Sequence, residues 1–166
     1  MIHRLVLVAA LLAAPIVAHA GSIQVNEAFT RAVLAGGVGG VFLTIVNTGA
    51  ADRLTGATSP NAAKAELHQS ISDNGVMKMR PVDGLDIPTG GTVKLVPGGY
   101  HLMLTGLTQG LTAGGHLPVT LIFQNAGMVE VEAYVVKPGG SAPMGMAPHD
   151  MGPHDMSQMP RMMPAK

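Results

Sequence analysis

Apolar and polar residues alternate in short runs along residues 21–137, and Gly, Pro, Asn and Asp separate the runs. A period of two is typical of half-buried strands, and the separating residues favour turns. The pattern predicts strands at residues 23–29, 40–47, 63–70, 75–82, 92–96, 100–105, 118–124 and 128–136. Short strands at this spacing indicate an all-β domain, either a Greek-key sandwich or a small barrel.

The first 20 residues have a different pattern. A short basic start precedes an uncharged apolar run at residues 5–18, and Ala18-His19-Ala20 has the small residues of a signal-peptide cleavage site. A membrane anchor is the alternative, but this run contains Pro15 and falls short of the roughly 20 residues needed to cross a bilayer. We therefore expect a signal peptide cleaved near Ala20, export, and no membrane span in the mature chain.

The composition changes again at residue 138. Residues 138–166 contain six Pro, four Gly and seven Met, but no Leu, Ile, Val or Phe. A segment without these side chains cannot bury enough apolar surface to offset the entropy lost on ordering, so we expect a disordered tail. The sequence thus predicts a signal peptide at 1–20, one β domain at 21–137 and a Met- and His-rich tail at 138–166.

Charge and cysteine content exclude several classes of function. The 166 residues include ten basic residues, ten acidic residues and no Cys. A balanced charge offers no electrostatic basis for binding nucleic acid, and the lack of Cys excludes disulfide scaffolds, zinc fingers and thiolate metal sites. Because the chain has 12 Met, any sulfur ligand it uses must be a thioether.

No residue pattern in the sequence points to an enzyme. Ser70 lies two residues from His68, but no Gly-x-Ser-x-Gly motif accompanies them. Phosphate-binding loops and dinucleotide fingerprints are also absent from the sequence. Glu130 and Glu132 alternate with valines, as solvent-facing residues of a strand do. We therefore do not expect catalysis.

Histidine and methionine are more informative. Within residues 100–104, apolar side chains alternate with His101 and Met103, so a strand here projects an imidazole and a thioether from the same face. His68 and Met79 lie upstream of this pair. A His-x-Met pair alone is weak evidence for a metal site, because Met is more often core filler.

The spacing of these residues resembles that of a known family, the periplasmic copper chaperones called PCu(A)C. The family signature is His, ten residues, Met, 21 residues and then His-x-Met. The residues that fit it without a gap are His68, Met79, His101 and Met103. The resemblance runs from about residue 28 to residue 136. One departure is Phe29, where members of the family commonly have Trp.

The resemblance implies a cupredoxin-like β-barrel that binds Cu(I) through these two His and two Met. The chemistry agrees, because Cu(I) is soft and prefers imidazole and thioether ligands to hard oxygen. The resemblance also implies periplasmic delivery of copper to the CuA centre of cytochrome c oxidase, directly or through a thiol-bearing assembly protein. Thiolates on an acceptor are softer than thioethers and can draw Cu(I) from the donor.

The tail is a second candidate metal site. Some members of the family have similar extensions that bind copper, and tracts rich in His and Met often bind metal ions. Imidazoles suit Cu(II), whereas thioethers suit Cu(I). The candidate ligands in the tail are His149, His154, Met144, Met146, Met151 and Met156. An inert soluble extension is the alternative.

Other functions remain open on the sequence. A copper-buffering or resistance protein uses the same ligands without a dedicated acceptor, and a metal-free β-sandwich interaction module binds no copper. A copper enzyme is disfavoured because no pattern in the sequence indicates a substrate pocket. Met77 is either a substitute ligand or packing, and Glu66 is either a hydrogen-bond acceptor that orients His68 or a solvated carboxylate. His116 is interpreted as an exposed loop residue.

Overall fold

The computed structural model describes residues 22–141, which form ten β-strands. The strands are β1 (Ile23–Arg31), β2 (Gly39–Asn47), β3 (Asp52–Thr58), β4 (Ala62–Asp73), β5 (Val76–Pro81), β6 (Leu85–Ile87), β7 (Thr92–Leu95), β8 (Tyr100–Leu107), β9 (His116–Phe123) and β10 (Gly127–Val136). No helix long and apolar enough to cross a membrane occurs among these residues. The predicted signal peptide and the tail beyond residue 141 lie outside the described residues.

Seven of the strands close into a barrel. They follow the order β4-β8-β2-β1-β10-β9-β3, and the pair Ala57 and Ala65 joins β3 back to β4. β1 and β10 run parallel, whereas the other pairs are antiparallel. The three remaining strands lie outside this ring, with β5 on β4, β6 on β3 and β7 on β2. The all-β fold predicted from the sequence is confirmed.

The inward faces of the barrel strands form the hydrophobic core. Alternate residues of these strands are buried side chains without polar groups, and they include Val41, Leu43, Ile45, Leu67, Leu102, Leu104, Leu117, Val119, Leu121 and Val135. Burying one such side chain contributes roughly 1.5–3 kcal/mol. The interior therefore supplies most of the stability, and residues on the outer face are free to serve another role.

A β-bulge reverses the alternation within β1. Before it, Val25 pairs with Ile45 and faces the core; after it, Phe29 pairs with Phe42 and faces outward, while Thr30 pairs with Val41 and faces inward. Glu27, at the bulge, has a φ of 54°, a left-handed conformation that the extra residue of a bulge often adopts. The bulge therefore places an aromatic ring on the outer face and a hydroxyl in the core.

The hairpin of β4 and β5 extends one wall beyond the barrel ring. Asn74 and Gly75, with φ of 51° and 82°, form its two-residue turn, as an Asn-Gly pair favours. Within the described residues, β5 pairs with β4 alone, and all of its residues are exposed. β5 is therefore the outermost strand of the sheet on this side.

All eight strands predicted from alternation are present, with ends that shift by a few residues. The sequence prediction missed β3 and β6. β3 contains Gly56, and a register irregularity between Leu54 and Gly56 interrupts the period of two. β6 has only three residues, too few to show a period.

Candidate metal site

Strand register places the four predicted ligands on one outer face of the sheet. In an antiparallel pair, directly opposite residues project from the same face. His68 of β4 lies opposite His101 of β8, and Glu66 lies opposite Met103. Met79 of β5 lies opposite Ser70, two residues along β4 from His68. The two imidazoles therefore lie in the middle, with one thioether toward each side.

The two imidazoles are close together and nearly buried although they face outward. His68 is 7% exposed and His101 is 5% exposed. Their ring centroids are 6.1 Å apart, and the rings are inclined at 40°. This spacing lets one nitrogen of each ring approach a common point, since a metal–imidazole bond is about 2 Å long.

Both nitrogens of His68 are buried without a hydrogen-bond partner in the described part of the chain. The nearest carboxylate oxygen, Oε2 of Glu66, is 4.0 Å from Nε2, which is too far for a hydrogen bond. A buried polar group without a partner costs about 1–3 kcal/mol. A ligand that binds a His68 nitrogen removes this cost.

His101, by contrast, is oriented by the backbone. Its Nδ1 lies 3.1 Å from the carbonyl oxygen of Gly99, and because a carbonyl only accepts, Nδ1 must carry the proton. Neutral His101 therefore keeps the lone pair on Nε2, the nitrogen left to bind a metal. A metal-ligating histidine is commonly held in this way by its other ring nitrogen.

A tight turn supplies the carbonyl that orients His101. Gly99 N donates to Val96 O at 3.0 Å, with Pro97 and Gly98 between them. Gly98 has a φ of 82°, so proline followed by a left-handed glycine gives the sequence of a type II turn. Gly99 O also accepts the backbone N–H of Ser70 at 3.0 Å, which ties the turn to β4 beside His68.

The two predicted thioether ligands differ in exposure. Met103 is half-buried on barrel strand β8, whereas Met79 on β5 is 62% exposed. Met77 lies on the same face of β5 and is also exposed, so packing does not explain its position. One edge of the candidate site is therefore open to solvent.

Two phenylalanine rings pack beside the His101 imidazole, on the β2 side of β8. The Phe42 ring centroid is 6.2 Å from that of His101 and 5.1 Å from that of Phe29. The Arg31 guanidinium carbon lies 5.5 Å from the centre of the Phe42 ring. A Cβ on Gly40 would lie 3.2 Å from the tip of that ring. The absence of a side chain at this position therefore leaves space for the Phe42 ring. These contacts restrict how the His101 ring can move.

The remaining residues singled out from the sequence are not part of this cluster. Glu130 and Glu132 are exposed, as their alternation predicted. His116 is exposed and lies against Tyr134, with ring centroids 5.5 Å apart; it is the first residue of β9 rather than a loop residue. The tail candidates His149, His154, Met144, Met146, Met151 and Met156 lie outside the described residues.

Sequence reasoning missed two supporting features. The Gly99 carbonyl is a backbone group, and the Pro-Gly-Gly segment before His101 indicated a turn but not its hydrogen bond to the imidazole. Phe42 gave no signal because its contact with His101 depends on the pairing of β2 with β8. Residues 22–141 contain no group of three or more His, Asp or Glu placed to hold a metal, so a metal here requires the thioethers.

The amino-acid sequence matches a described protein family and individual relatives. Residues 23–135 match the LpqE-like family, described as "Putative lipoprotein LpqE-like". "Putative lipoprotein Lxx21020" of Leifsonia xyli is 38% identical over 109 residues, which is 64% of this chain and 65% of that protein. The uncharacterized protein RP573 of Rickettsia prowazekii is 32% identical over 87 residues, 51% of this chain and 48% of that protein. The matches thus span two thirds or less of either relative.

Solved structures share the fold. The copper-bound PCuAC domain from PmoF2 superposes with a TM-score of 0.61 at 27% identity, covering 71% of this chain and 95% of that domain. The CuI form of DR1885 from Deinococcus radiodurans superposes with a TM-score of 0.52 at 28% identity, covering 70% and 78%. The cupredoxin-like barrel expected from the sequence is thereby confirmed.

Proposed function

Because the chain belongs to the LpqE-like family, within the PCuAC group of copper chaperones, we propose that it is an exported carrier of Cu(I) that binds the ion through His68, Met79, His101 and Met103. The observation that carries the proposal is the strand register that puts all four residues on one outer face, together with a buried His68 ring whose nitrogens have no hydrogen-bond partner among the described residues. Copper binding by the PmoF2 domain and by DR1885 supports it.

The donor set favours Cu(I) over other ions. Two neutral imidazoles and two thioethers are soft or intermediate ligands, which Cu(I) prefers, whereas calcium, magnesium and manganese require oxygen. A d¹⁰ ion imposes no strong geometric preference of its own, so it would accept the positions in which the strands hold these four side chains. His101 keeps its proton on Nδ1, so its Nε2 lone pair is available to bind the ion.

The exposure of the site supports a carrier rather than an enzyme or a closed store. Met79 is largely exposed on the outermost strand, so an acceptor ligand can approach the ion from that side and replace the thioether. The two histidines remain nearly buried and hold the ion during the exchange. Ligand exchange of this kind needs no catalytic group.

The acceptor is proposed to be the CuA-bearing subunit of cytochrome c oxidase or a thiol-bearing assembly protein in the periplasm. Thiolate ligands bind Cu(I) more tightly than thioethers, so transfer from this site to such an acceptor is downhill. Export to the periplasm, with cleavage near Ala20, completes the proposal. The tail binds additional copper, including Cu(II), through His149 and His154.

An anaerobic Cu(I) titration against a chromophoric chelator tests the core ligands. We expect M79L, M103L, H68A and H101A each to weaken Cu(I) binding by at least about tenfold, because each removes one of four ligands. Matched controls are M128L, which alters another exposed Met, and H116A, which alters another outer-face His. Both should bind Cu(I) as the wild type does. Parity of all four ligand variants with the controls would refute the ligand set.

A transfer assay separates the chaperone from a buffering protein. Cu(I)-loaded protein is mixed anaerobically with an apo CuA domain, the two are separated by chromatography, and the copper content of each is measured. A chaperone loses its copper to the acceptor, whereas a buffering or resistance protein retains it. For the tail, H149A/H154A in the full chain should lower the number of bound Cu(II) ions, and an unchanged number would refute the tail site.

A further inference from the structure

We propose that Glu66 is a fifth, oxygen ligand of the site, used when the bound ion is Cu(II), so that one site accepts copper in both oxidation states. The proposal rests on the copper site proposed above and adds Glu66 to its two-His, two-Met set. Because the described residues contain no group of three His, Asp or Glu placed to hold a metal by themselves, the carboxylate acts together with the thioethers and does not replace them. Its basis is the position of the Glu66 carboxylate relative to the His68 ring, whose nitrogens have no hydrogen-bond partner among the described residues.

The sheet directs Glu66 into the site. Glu66 lies two residues before His68 on β4, so the two side chains share a face, and it lies directly opposite Met103 on β8. Its side chain is 46% exposed, so it faces both the imidazole and solvent. Among the described residues, His68 is the one basic side chain with a nitrogen within 4.0 Å of the carboxylate.

The separation of the two groups fits a bridging metal better than a hydrogen bond. Glu66 Oε2 and His68 Nε2 are 4.0 Å apart, more than 0.5 Å beyond hydrogen-bond range. Metal–nitrogen and metal–oxygen bonds are about 2.0–2.2 Å long. The sum of the two bond lengths equals or slightly exceeds this separation, so one ion would be within bonding distance of both atoms.

The oxidation state of copper decides whether this oxygen is used. Cu(I) is satisfied by soft ligands and gains little from a carboxylate, whereas Cu(II) prefers nitrogen and oxygen and is poorly served by thioethers. A carboxylate also offsets part of the additional positive charge of Cu(II) at this nearly buried site. Glu66 therefore stabilises bound Cu(II) relative to bound Cu(I) and lowers the reduction potential of the site.

The test compares E66Q with its parent for both ions. The parent is the full chain carrying H149A/H154A, which removes the tail imidazoles that would also bind Cu(II). Glutamine keeps the size of the side chain but removes its charge. Cu(II) and Cu(I) affinities are measured by competition with chelators, the Cu(II) ligands by electron paramagnetic resonance, and the reduction potential by anaerobic titration.

We expect E66Q to weaken Cu(II) binding at least tenfold, to change the Cu(II) resonance spectrum, and to leave Cu(I) affinity within threefold of the parent. A tenfold selective loss of Cu(II) affinity raises the reduction potential by about 59 mV. E132Q is the matched control, since Glu132 is an exposed carboxylate on an outer strand face away from the histidines, and it should change none of these quantities.

Two results would overturn the proposal. Retention of Cu(II) affinity and spectrum in E66Q means that the carboxylate is not a ligand. Equal loss of Cu(I) and Cu(II) affinity means that Glu66 positions His68 for either ion and makes no choice between them. A parent protein that fails to bind Cu(I) refutes the copper carrier itself, a failure that the parent shows before any Glu66 variant is measured.

Discussion

Replacing Thr30 with valine should stabilise the protein. The β1 bulge turns Thr30 into the barrel, where it is fully buried opposite Val41 and Val135. Its hydroxyl oxygen has no hydrogen-bond partner among the described residues. Valine has nearly the same shape as threonine and fills the site with a methyl group instead of the hydroxyl.

The size of the effect follows from the unpaired hydroxyl. Leaving a buried polar group without a partner costs about 1–3 kcal/mol, and replacing it by an apolar group of the same shape recovers much of that cost. We expect T30V to raise the free energy of unfolding by about 1–2 kcal/mol. For a domain of this size, that corresponds to roughly 3–10 °C in Tm.

Urea denaturation of the metal-free protein, followed by circular dichroism, measures the change in free energy of unfolding, and a thermal scan measures Tm. The control is T92V, because Thr92 is exposed on β7 and its substitution should change stability by less than about 0.5 kcal/mol. A T30V protein no more stable than wild type would show that the Thr30 hydroxyl is satisfied in solution and would refute the reasoning.

Three further variants separate stability from copper binding. G98A and G114A each place a side chain at positive φ, 82° and 89°, in open space, so each should cost about 1 kcal/mol of stability. In chelator competition only G98A should weaken Cu(I) binding, by about tenfold, because its turn supplies the carbonyl that orients the imidazole of the proposed ligand His101; equal affinities in the two variants would contradict this. D52A should cost about 2–3 kcal/mol in urea denaturation, because the Asp52 carboxylate accepts the backbone N–H of Asn125 and Ala126 at 2.9 Å. Its Cu(I) affinity should be unchanged, and a loss below 1 kcal/mol would argue against this role of Asp52.

Alternation was sufficient to predict most of the strands because each half-buried strand carries its own local signal. It also predicted the faces of residues 100–104, with Leu102 and Leu104 buried in the core and His101 and Met103 on the other side. The β1 bulge could not be predicted this way, since one extra residue exchanges the two faces. An unbroken alternation from Val25 would have placed Phe29 in the core and Thr30 outside.

The sequence predicted which residues form the candidate site, but it could not predict how they are arranged in space. His68 and His101 are 33 positions apart in the sequence and become neighbours only because β4 pairs with β8. Sequence spacing does not specify which strands become neighbours. The resemblance to PCu(A)C supplied that grouping. The supporting contacts of Gly99 and Phe42 depend on strand neighbours and turn geometry, so they required the folded chain.

In the proposed copper carrier, the division of the site between the barrel and the outlying strand β5 separates the affinity for copper from the rate of its release. Three of the four proposed ligands belong to strands of the closed ring, whereas Met79 belongs to a strand paired along one side. Detaching β5 requires far less free energy than opening the ring, because local opening of an edge costs less than global unfolding. Substitutions in the Asn74-Gly75 turn should therefore change the dissociation rate of copper while the imidazoles still hold the ion, so the lifetime of the loaded state can be adjusted without altering the metal ligands.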